Sequence, residues 1–93
     1  IMVGNVETAE TAKRIVDAVK YAPLGNRGLG LGTAHNDYVQ PPISYLQESN
    51  ENTTVICQIE SPLGLQNADA IAATPGVDIL WIGHFDLSNA MGI

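Results

Sequence analysis

The chain has 93 residues with ten acidic and four basic side chains, so its formal net charge is −6 at pH 7. This balance argues against a nucleic-acid partner and against an anionic membrane surface, because both require a basic face. An apolar fraction of 45% is sufficient for a folded core,, and the single cysteine rules out an internal disulfide framework and a thiolate zinc cluster.

The first two predicted elements are a strand and a helix. Residues 1–6 predict a strand, because four of them are apolar. From Thr8 onward, apolar residues recur at helical spacing while charged residues occupy the other face, which predicts an amphipathic helix to about Tyr21. Pro23 and Gly25 then end the helix.

The middle of the chain is less regular. A glycine-rich segment follows the helix and predicts either a loop or a short strand over residues 28–32. Two adjacent prolines begin the next segment, in which residues 43–47 predict one helical turn or more before a polar connector over residues 49–54. Residues 54–60 predict the second clear strand, which starts with β-branched side chains.

A helix and a last strand complete the pattern. Ser61 and Pro62 predict the start of a helix, because a capping hydroxyl precedes a proline at the first helical position. We expect this helix to break or restart near residues 64–67 and to end at residues 74–76. Residues 77–82 are nearly all apolar and predict a strand covered on both faces. The alternation of strands and helices predicts an α/β fold with a parallel sheet.

Simple features of the sequence predict where the protein is located and whether the chain is part of a longer one. No apolar run reaches the roughly 18 to 20 residues that a membrane helix requires, and the first residues lack the pattern of a signal peptide. With the single cysteine, these features favour a cytoplasmic protein. The sequence starts at Ile1 rather than at a methionine and stops at Ile93 soon after an apolar run, so we expect it to be part of a longer protein.

Two acidic residues stand at or just past the ends of the last two strands. Glu60 closes one apolar run, and Asp86 follows the other within a few residues. Ligands of parallel α/β folds gather at the carboxyl ends of the strands. Two carboxylates with open positions for water and substrate suit Mg²⁺ or Mn²⁺. Two solvated surface acids would give the same pattern, so the residues alone leave both interpretations open.

Four blocks of the sequence carry a family resemblance. They are MVGNVETAETAKRIVDAVKYAPLGNRG, QIES with Asn67 and Ile71 following it, PGVDILWIG, and FDLSNAMG. These blocks closely resemble the HpcH/HpaI aldolase family, the metal-dependent pyruvate aldolases of the phosphoenolpyruvate/pyruvate barrel superfamily. The resemblance implies an α/β fold that is a partial (β/α)8 TIM barrel, with parallel strands alternating with helices. Residues 1–93 would form a single incomplete domain from its central section, because a whole barrel takes roughly 250 residues.

The resemblance also implies a metal and substrate site. Glu60 and Asp86 would be the two protein ligands of a divalent ion, Mg²⁺, Mn²⁺ or Co²⁺. Gln58 would lie near the bound keto acid, and the backbone amides of Phe85 and Asp86 would contact the carboxylate of pyruvate. The substrate-binding Arg and the His acid/base of the family lie on strands that precede Ile1, so no certain catalytic residue is expected within this chain.

By the same resemblance, the parent protein is expected to cleave a 2-keto-4-hydroxy acid into pyruvate and an aldehyde. A divalent ion would stabilise the negative charge that forms when the carbon–carbon bond breaks. The expected partners are a small-molecule keto acid and, in a homo-oligomer, further copies of the protein. Two alternatives stay open: a CoA-thioester lyase of the citrate-lyase β type, and an inactive truncated chain with a structural role.

Other residues with reactive or bulky side chains have simpler interpretations beside a functional one. His84 can bind the ion or relay a proton, but it stands where many relatives have proline. His35 is expected in a polar loop as a solvated or locally hydrogen-bonded side chain. Arg27 either holds the glycine-rich turn or reaches the mouth of the site. Trp81 and Cys57 lie within apolar runs and are expected in the core.

Overall fold

Three parallel strands form one sheet in the computed structural model, which describes all 93 residues. In spatial order they are β1 (Met2–Val3), β2 (Ile56–Ile59) and β3 (Ile79–Ile82). The register of the two longer strands pairs Gln58 with Trp81. The three strands predicted from the sequence are therefore confirmed, although each hydrogen-bonded ladder is shorter than the apolar run that predicts it.

Five helices accompany the strands: α1 (Ala9–Val19), α2 (Tyr45–Asn52), α3 (Pro62–Gln66), α4 (Ala68–Ala72) and α5 (His84–Met91). A short 3-10 turn covers Ala34–Asn36. Each strand is followed by a helix, so the predicted alternation is confirmed. None of the helices combines the length and the apolar composition that crossing a membrane would need.

Residues next to helix α1 determine where it begins and where the chain turns after it. The Thr8 hydroxyl accepts a hydrogen bond from the Thr11 amide at 3.1 Å and caps the N-terminus,. The helix ends two residues earlier than predicted, and the chain then turns tightly at Gly25. A Cβ at Gly25 would lie 2.5 Å from the Lys20 carbonyl oxygen, so only glycine fits this turn.

The segment after β2 consists of two short helices, as predicted. Ser61 Oγ accepts a hydrogen bond from the Gly64 amide at 3.1 Å, and Pro62 occupies the first turn of α3. The helices meet at Asn67, which caps the end of one and the start of the other. Gly64 is buried against the loop after β1, where a Cβ would lie 2.8 Å from the Val6 carbonyl oxygen.

The core lies on the face of the sheet that the helices cover. Its seven buried residues are Val6, Ala12, Val16, Val55, Cys57, Ile59 and Ile71. Alternation along β2 explains this pattern, since Cys57 and Ile59 are buried while Gln58 between them is half-buried on the other face,. The core placement predicted for Cys57 is therefore confirmed.

The second face of the sheet is open, which corrects two predictions. Trp81 is 54% exposed, so its predicted place in the core is wrong. It pairs with Gln58 in the register and therefore shares the open face. Ile79, two residues earlier in the same strand and therefore on the same face, is also exposed,. The prediction that this strand is covered on both faces is wrong, because β3 is an edge strand and no residue of the chain covers its open side.

The middle of the chain decides between two predicted forms of the glycine-rich segment and corrects the predicted extent of the next helix. Residues 28–32 form no strand, so of the two predicted forms the loop is confirmed, and a Cβ at Gly28 or Gly30 would meet no atom within 4 Å. Helix α2 includes residues 49–52, which the sequence predicts as a connector. The local contact predicted for His35 is confirmed, since its Nδ1 lies 3.0 Å from the Thr33 hydroxyl.

Buried polar contacts with the turn after α1 hold helix α2 in place. The Asn50 side chain accepts from the Tyr21 amide at 2.7 Å and donates to the Tyr21 carbonyl at 2.9 Å. Lys20 Nζ donates to the carbonyls of Asn50 and Thr53, where a cation is favoured by the unpaired carbonyls of a helix C-terminus,. The Arg27 guanidinium lies 4.4 Å from the centroid of the Tyr21 ring, so Arg27 has a structural role,.

The buried thiol of Cys57 predicts a pH dependence of stability. Burial raises the pKa of this thiol above its ordinary value,. Below that ordinary value, about 8.5, both the folded and the unfolded thiol are protonated. Above it only the unfolded thiol ionises, so the free energy of unfolding falls with rising pH until the folded thiol ionises too. We expect this fall in urea titrations of the intact protein.

The Cys57→Ala variant is the control for this titration. We expect it to be less stable at neutral pH, because the smaller side chain leaves a cavity in the core. Its free energy of unfolding should decline less steeply above about pH 8.5, because it lacks the ionising thiol. The same pH dependence in both proteins would contradict the raised pKa.

Candidate metal centre

The carboxyl end of β2 presents two polar side chains on the open face of the sheet. Gln58 lies within the strand, and Glu60 directly follows its last residue. Because side chains alternate along a strand, both lie on the face opposite the buried Cys57 and Ile59. Gln58 and Glu60 are half-buried. A ligand can therefore reach them while their neighbours hold them in place.

The ends of both neighbouring strands approach the Glu60 side chain closely. A Cβ at Gly83, directly after β3, would lie 2.6 Å from Glu60 Cγ and 2.8 Å from its Oε1. A Cβ at Gly4, directly after β1, would lie 3.1 Å from Glu60 Oε2. Gln58 shares this space, since its Nε2 lies 3.0 Å from the same Gly83 position. The two glycines therefore leave the room that Glu60 and Gln58 occupy.

One backbone amide holds the Glu60 carboxylate. The Asn5 N–H donates to Glu60 Oε2 at 2.7 Å, a short bond of the kind that a charged acceptor forms,. Asn5 has a φ of 51°, in the left-handed region that asparagine adopts more readily than most residues,. The other carboxylate oxygen of Glu60, Oε1, accepts no hydrogen bond from the protein. Glu60 thus has one carboxylate oxygen that is free of hydrogen bonds.

Asp86 lies in the first turn of α5, the helix that begins directly after β3. Its carboxylate is exposed and forms no ion pair. No side chain caps α5, and the amides of His84, Phe85 and Asp86 have no acceptor in the chain. Unpaired amides at a helix N-terminus attract anions. A second carboxylate and three free donors therefore follow the strand next to β2.

His84 begins helix α5 and does not continue strand β3. The alternation of strand side chains therefore does not decide its direction, because the chain has left the strand at Gly83. The His84 ring centroid lies 4.2 Å from that of Phe85, and both side chains are exposed. This aromatic pair directly precedes Asp86 in the sequence and makes the first turn of α5 bulky.

The oxygen donors fit a divalent cation. Glu60 and Asp86 supply carboxylate oxygens, the ligand type that Mg²⁺ and Mn²⁺ prefer. Neither acid is neutralised by a basic side chain, since the one ion pair of the chain joins Lys13 to Asp17 at 3.5 Å. The chain contains no group of three or more His, Cys, Asp or Glu side chains placed to share a metal. An ion held by two carboxylates would keep positions for water and substrate.

The cavities of this chain lie away from these residues. The largest has a volume of about 630 Å³ and lies between the turn after α1 and helix α2. None of Gln58, Glu60, Phe85 and Asp86 lines it. The reason is geometric, because these four residues lie at the carboxyl ends of β2 and β3, where no part of the chain stands opposite them to enclose a cavity.

Sequence reasoning missed three residues that shape the site. Gly4 and Gly83 make room for Glu60, and Asn5 donates its amide to it. A glycine at the end of a strand often marks a place where another group approaches the backbone closely. The positions of Gly4 and Gly83 could therefore have indicated this site from the sequence. The role of Asn5 has no such signal, because the contact uses the backbone N–H, which every residue type except proline has.

Sequence comparison places the chain among aldolases and lyases. A sequence model of the family described as HpcH/HpaI aldolase/citrate lyase matches residues 1–93. The 5-keto-4-deoxy-D-glucarate aldolase of Salmonella arizonae is 48% identical over 87 residues, which cover 94% of this chain and 34% of that protein. The hydroxypyruvate/pyruvate aldolase of Chromohalobacter salexigens is 42% identical over 92 residues, which cover 99% of this chain and 36% of that protein.

Solved structures show the same fold. The HpcH/HpaI aldolase of Desulfitobacterium hafniense matches with a TM-score of 0.89 and 38% identity, over 99% of this chain and 36% of that one. The citrate synthase SbnG matches with a TM-score of 0.86 and 33% identity, over 100% of this chain and 34% of that one. These matches confirm the predicted fold class, a partial (β/α)8 barrel. The chain spans about a third of the length of the relatives it matches.

The close approach at Gly83 predicts the effect of an added methyl group. Gly83→Ala should displace the Glu60 side chain and break its bond to Asn5, because the new Cβ would lie 2.6 Å from Glu60 Cγ. We expect a crystal structure of the intact variant to show the carboxylate moved. The free energy of unfolding should fall by about 1 kcal/mol, the scale of a lost hydrogen bond.

Gly28→Ala is the matched control for this substitution. A Cβ at Gly28 would meet no atom within 4 Å, so stability should be unchanged or slightly raised. If Glu60 keeps its position in Gly83→Ala, the close approach does not determine where the carboxylate lies.

Proposed function

The chain belongs to the HpcH/HpaI aldolase/citrate lyase family, and we propose that it is the metal-binding section of a carbon–carbon lyase. The substrate is a 2-keto-4-hydroxy acid, and aldol cleavage releases pyruvate and an aldehyde. One observation carries this proposal. The Glu60 carboxylate is held by the Asn5 amide with one oxygen free, and Asp86 follows the neighbouring strand.

The names of two relatives support this class of reaction. Both the Salmonella arizonae and the Chromohalobacter salexigens proteins are aldolases, and the name of the second specifies hydroxypyruvate and pyruvate. The matched part is 34% of the first protein and 36% of the second. The activity is therefore proposed for the complete protein that carries this chain.

Gln58 and the first turn of α5 are the proposed contacts of the keto acid. The Gln58 amide lies beside the Glu60 carboxylate, since both approach the same position at Gly83 within 3.0 Å. The amides of Phe85 and Asp86 have no acceptor in the chain and can donate to the substrate carboxylate,. Together these groups orient the keto acid against the carboxyl end of the sheet.

Glu60 and Asp86 are the proposed ligands of a divalent ion, Mg²⁺, Mn²⁺ or Co²⁺. When bound, the ion would act as a Lewis acid and stabilise the negative charge that develops as the carbon–carbon bond breaks. The bond from Asn5 uses one lone pair of Glu60 Oε2, and Oε1 accepts no hydrogen bond from the protein and is available to a cation,.

The remaining substrate-binding and catalytic residues are proposed to lie outside residues 1–93. These residues are then a single incomplete domain, the central section of the barrel. A substrate-binding Arg and a His acid/base come from other strands of that barrel, which also cover the open face where Trp81 is exposed. The complete protein is proposed to be a cytoplasmic homo-oligomer.

A second candidate function is a CoA-thioester lyase of the citrate-lyase β type. The family description includes citrate lyase, and the solved citrate synthase SbnG matches the whole chain at a TM-score of 0.86. Both functions would use the same carboxylate pair. Turnover of an acyl-CoA and not of a 4-hydroxy-2-keto acid would favour the second function, and turnover of neither would favour an inactive protein.

Substitution of the two acids tests the metal assignment. In the complete protein, Glu60→Gln and Asp86→Asn should each weaken Mn²⁺ binding by at least about 10-fold, because a neutral amide is a poorer ligand for a hard cation. Asp69→Asn is the matched control, since Asp69 is an exposed acid in the first turn of α4. Equal Mn²⁺ binding by the wild type and both site variants would refute the assignment.

Metal removal tests the reaction class. Pyruvate release from 4-hydroxy-2-keto acids, followed with a coupled dehydrogenase, should be lost after exhaustive chelation of the complete protein. Addition of Mn²⁺ or Mg²⁺ should restore it, because the charge on the developing transition state needs the cation. Undiminished activity in the chelated protein would rule out a metal-dependent aldolase.

A further inference from the structure

We propose that Glu7 is a positioning residue for the Glu60 carboxylate. Glu7 is half-buried in the loop between β1 and α1, and it is an acid that no basic side chain pairs with. Its side chain reaches Ser61, the residue that directly follows Glu60. This inference rests on the proposed function, in which Glu60 is a metal ligand.

Two hydrogen bonds join Glu7 to the segment after β2. Glu7 Oε1 accepts from Ser61 Oγ at 2.7 Å, and the Glu7 backbone carbonyl accepts from Asn67 Nδ2 at 2.8 Å. Ser61 Oγ also accepts from the Gly64 amide at 3.1 Å. The Ser61 hydroxyl has a single proton, and its donation to Glu7 leaves the oxygen lone pairs to accept from the Gly64 amide. Glu7 thereby determines how Ser61 caps helix α3.

The same loop holds Glu60 from the other side. The Asn5 amide donates to Glu60 Oε2 at 2.7 Å, and the Val6 amide donates to the Gln58 carbonyl at 3.0 Å. Residues 5–7 therefore contact three successive parts of the chain at the end of β2: the Gln58 carbonyl, the Glu60 side chain and the Ser61 side chain. Loss of the Glu7 contact would free the loop that carries the Asn5 amide.

A simpler role for Glu7 is a favourable charge near the N-terminus of α1, because acids there interact with the helix dipole. Glu10, in the first turn of the same helix, separates the two roles. It is exposed and accepts no side-chain hydrogen bond, so it can share the dipole effect but not the contact with Ser61. Glu10→Ala is therefore the matched control.

The test compares Mn²⁺ binding by the complete protein in four forms, with free Mn²⁺ measured by electron paramagnetic resonance. Glu7→Ala should weaken binding about 10-fold, the usual scale for removal of a group that orients a metal ligand. Glu7→Gln keeps the acceptor oxygen for Ser61 and should restore binding to nearly that of the wild type. Glu10→Ala should bind as the wild type does.

Two results would overturn the positioning role. Binding by Glu7→Ala equal to that of the wild type would show that the contact does not matter. Equally weak binding by Glu7→Ala and Glu7→Gln would show that Glu7 acts through its charge. Should Glu7→Ala fail to fold, Ser61→Ala removes the same contact and should weaken binding as much, and unchanged binding there would also overturn the role.

Hydrogen exchange of the metal-free protein separates this inference from the proposed function. The peptide that contains Asn5 should exchange faster in Glu7→Ala than in the wild type, and Glu7→Gln should restore the slow rate. This result would support the positioning of Glu60 whatever the metal assignment. Equal Mn²⁺ binding by the wild type and Glu60→Gln would defeat only the metal assignment. Unchanged exchange in Glu7→Ala would defeat the positioning role.

Discussion

The hydrogen bond from the Asn5 amide to the Glu60 carboxylate is the contact on which the candidate site depends. It joins the loop after β1 to the end of β2, and it leaves the other carboxylate oxygen without a hydrogen bond. The bond is possible because glycine stands at the end of both neighbouring strands, at Gly4 and Gly83. A larger side chain at Gly83 would occupy the space of the Glu60 side chain, so the position of the carboxylate requires glycine there.

Stability and the candidate chemistry lie at opposite ends of the sheet. At the amino ends of the strands, Lys20 and Asn50 join the turn after α1 to helix α2 through buried hydrogen bonds. At the carboxyl ends, Glu60 and Asp86 have no basic partners. This division is typical of (β/α)8 barrels, where the carboxyl ends of the strands carry the reacting groups.

The two faces of the sheet differ in how far this chain covers them. Trp81 and Gln58 are paired on the open face, and the tryptophan is 54% exposed. The helix-covered face holds the entire core, with Cys57 and Ile59 fully buried. The core of this chain therefore lies on one face only, and no residue of the chain covers the site on the other face.

The amino-acid sequence by itself determined the strands, the two capped helices and the order of the elements, because these depend on apolar periodicity and on local signals such as Ser61 before Pro62. It also placed Glu60 and Asp86 at the ends of neighbouring parallel strands. Only the tertiary structure decided that Trp81 is exposed and that α2 extends through Asn50, since both depend on what packs against them. The contacts of Glu60 with Asn5 and of Glu7 with Ser61 likewise join residues more than 50 positions apart, and no local pattern encodes them.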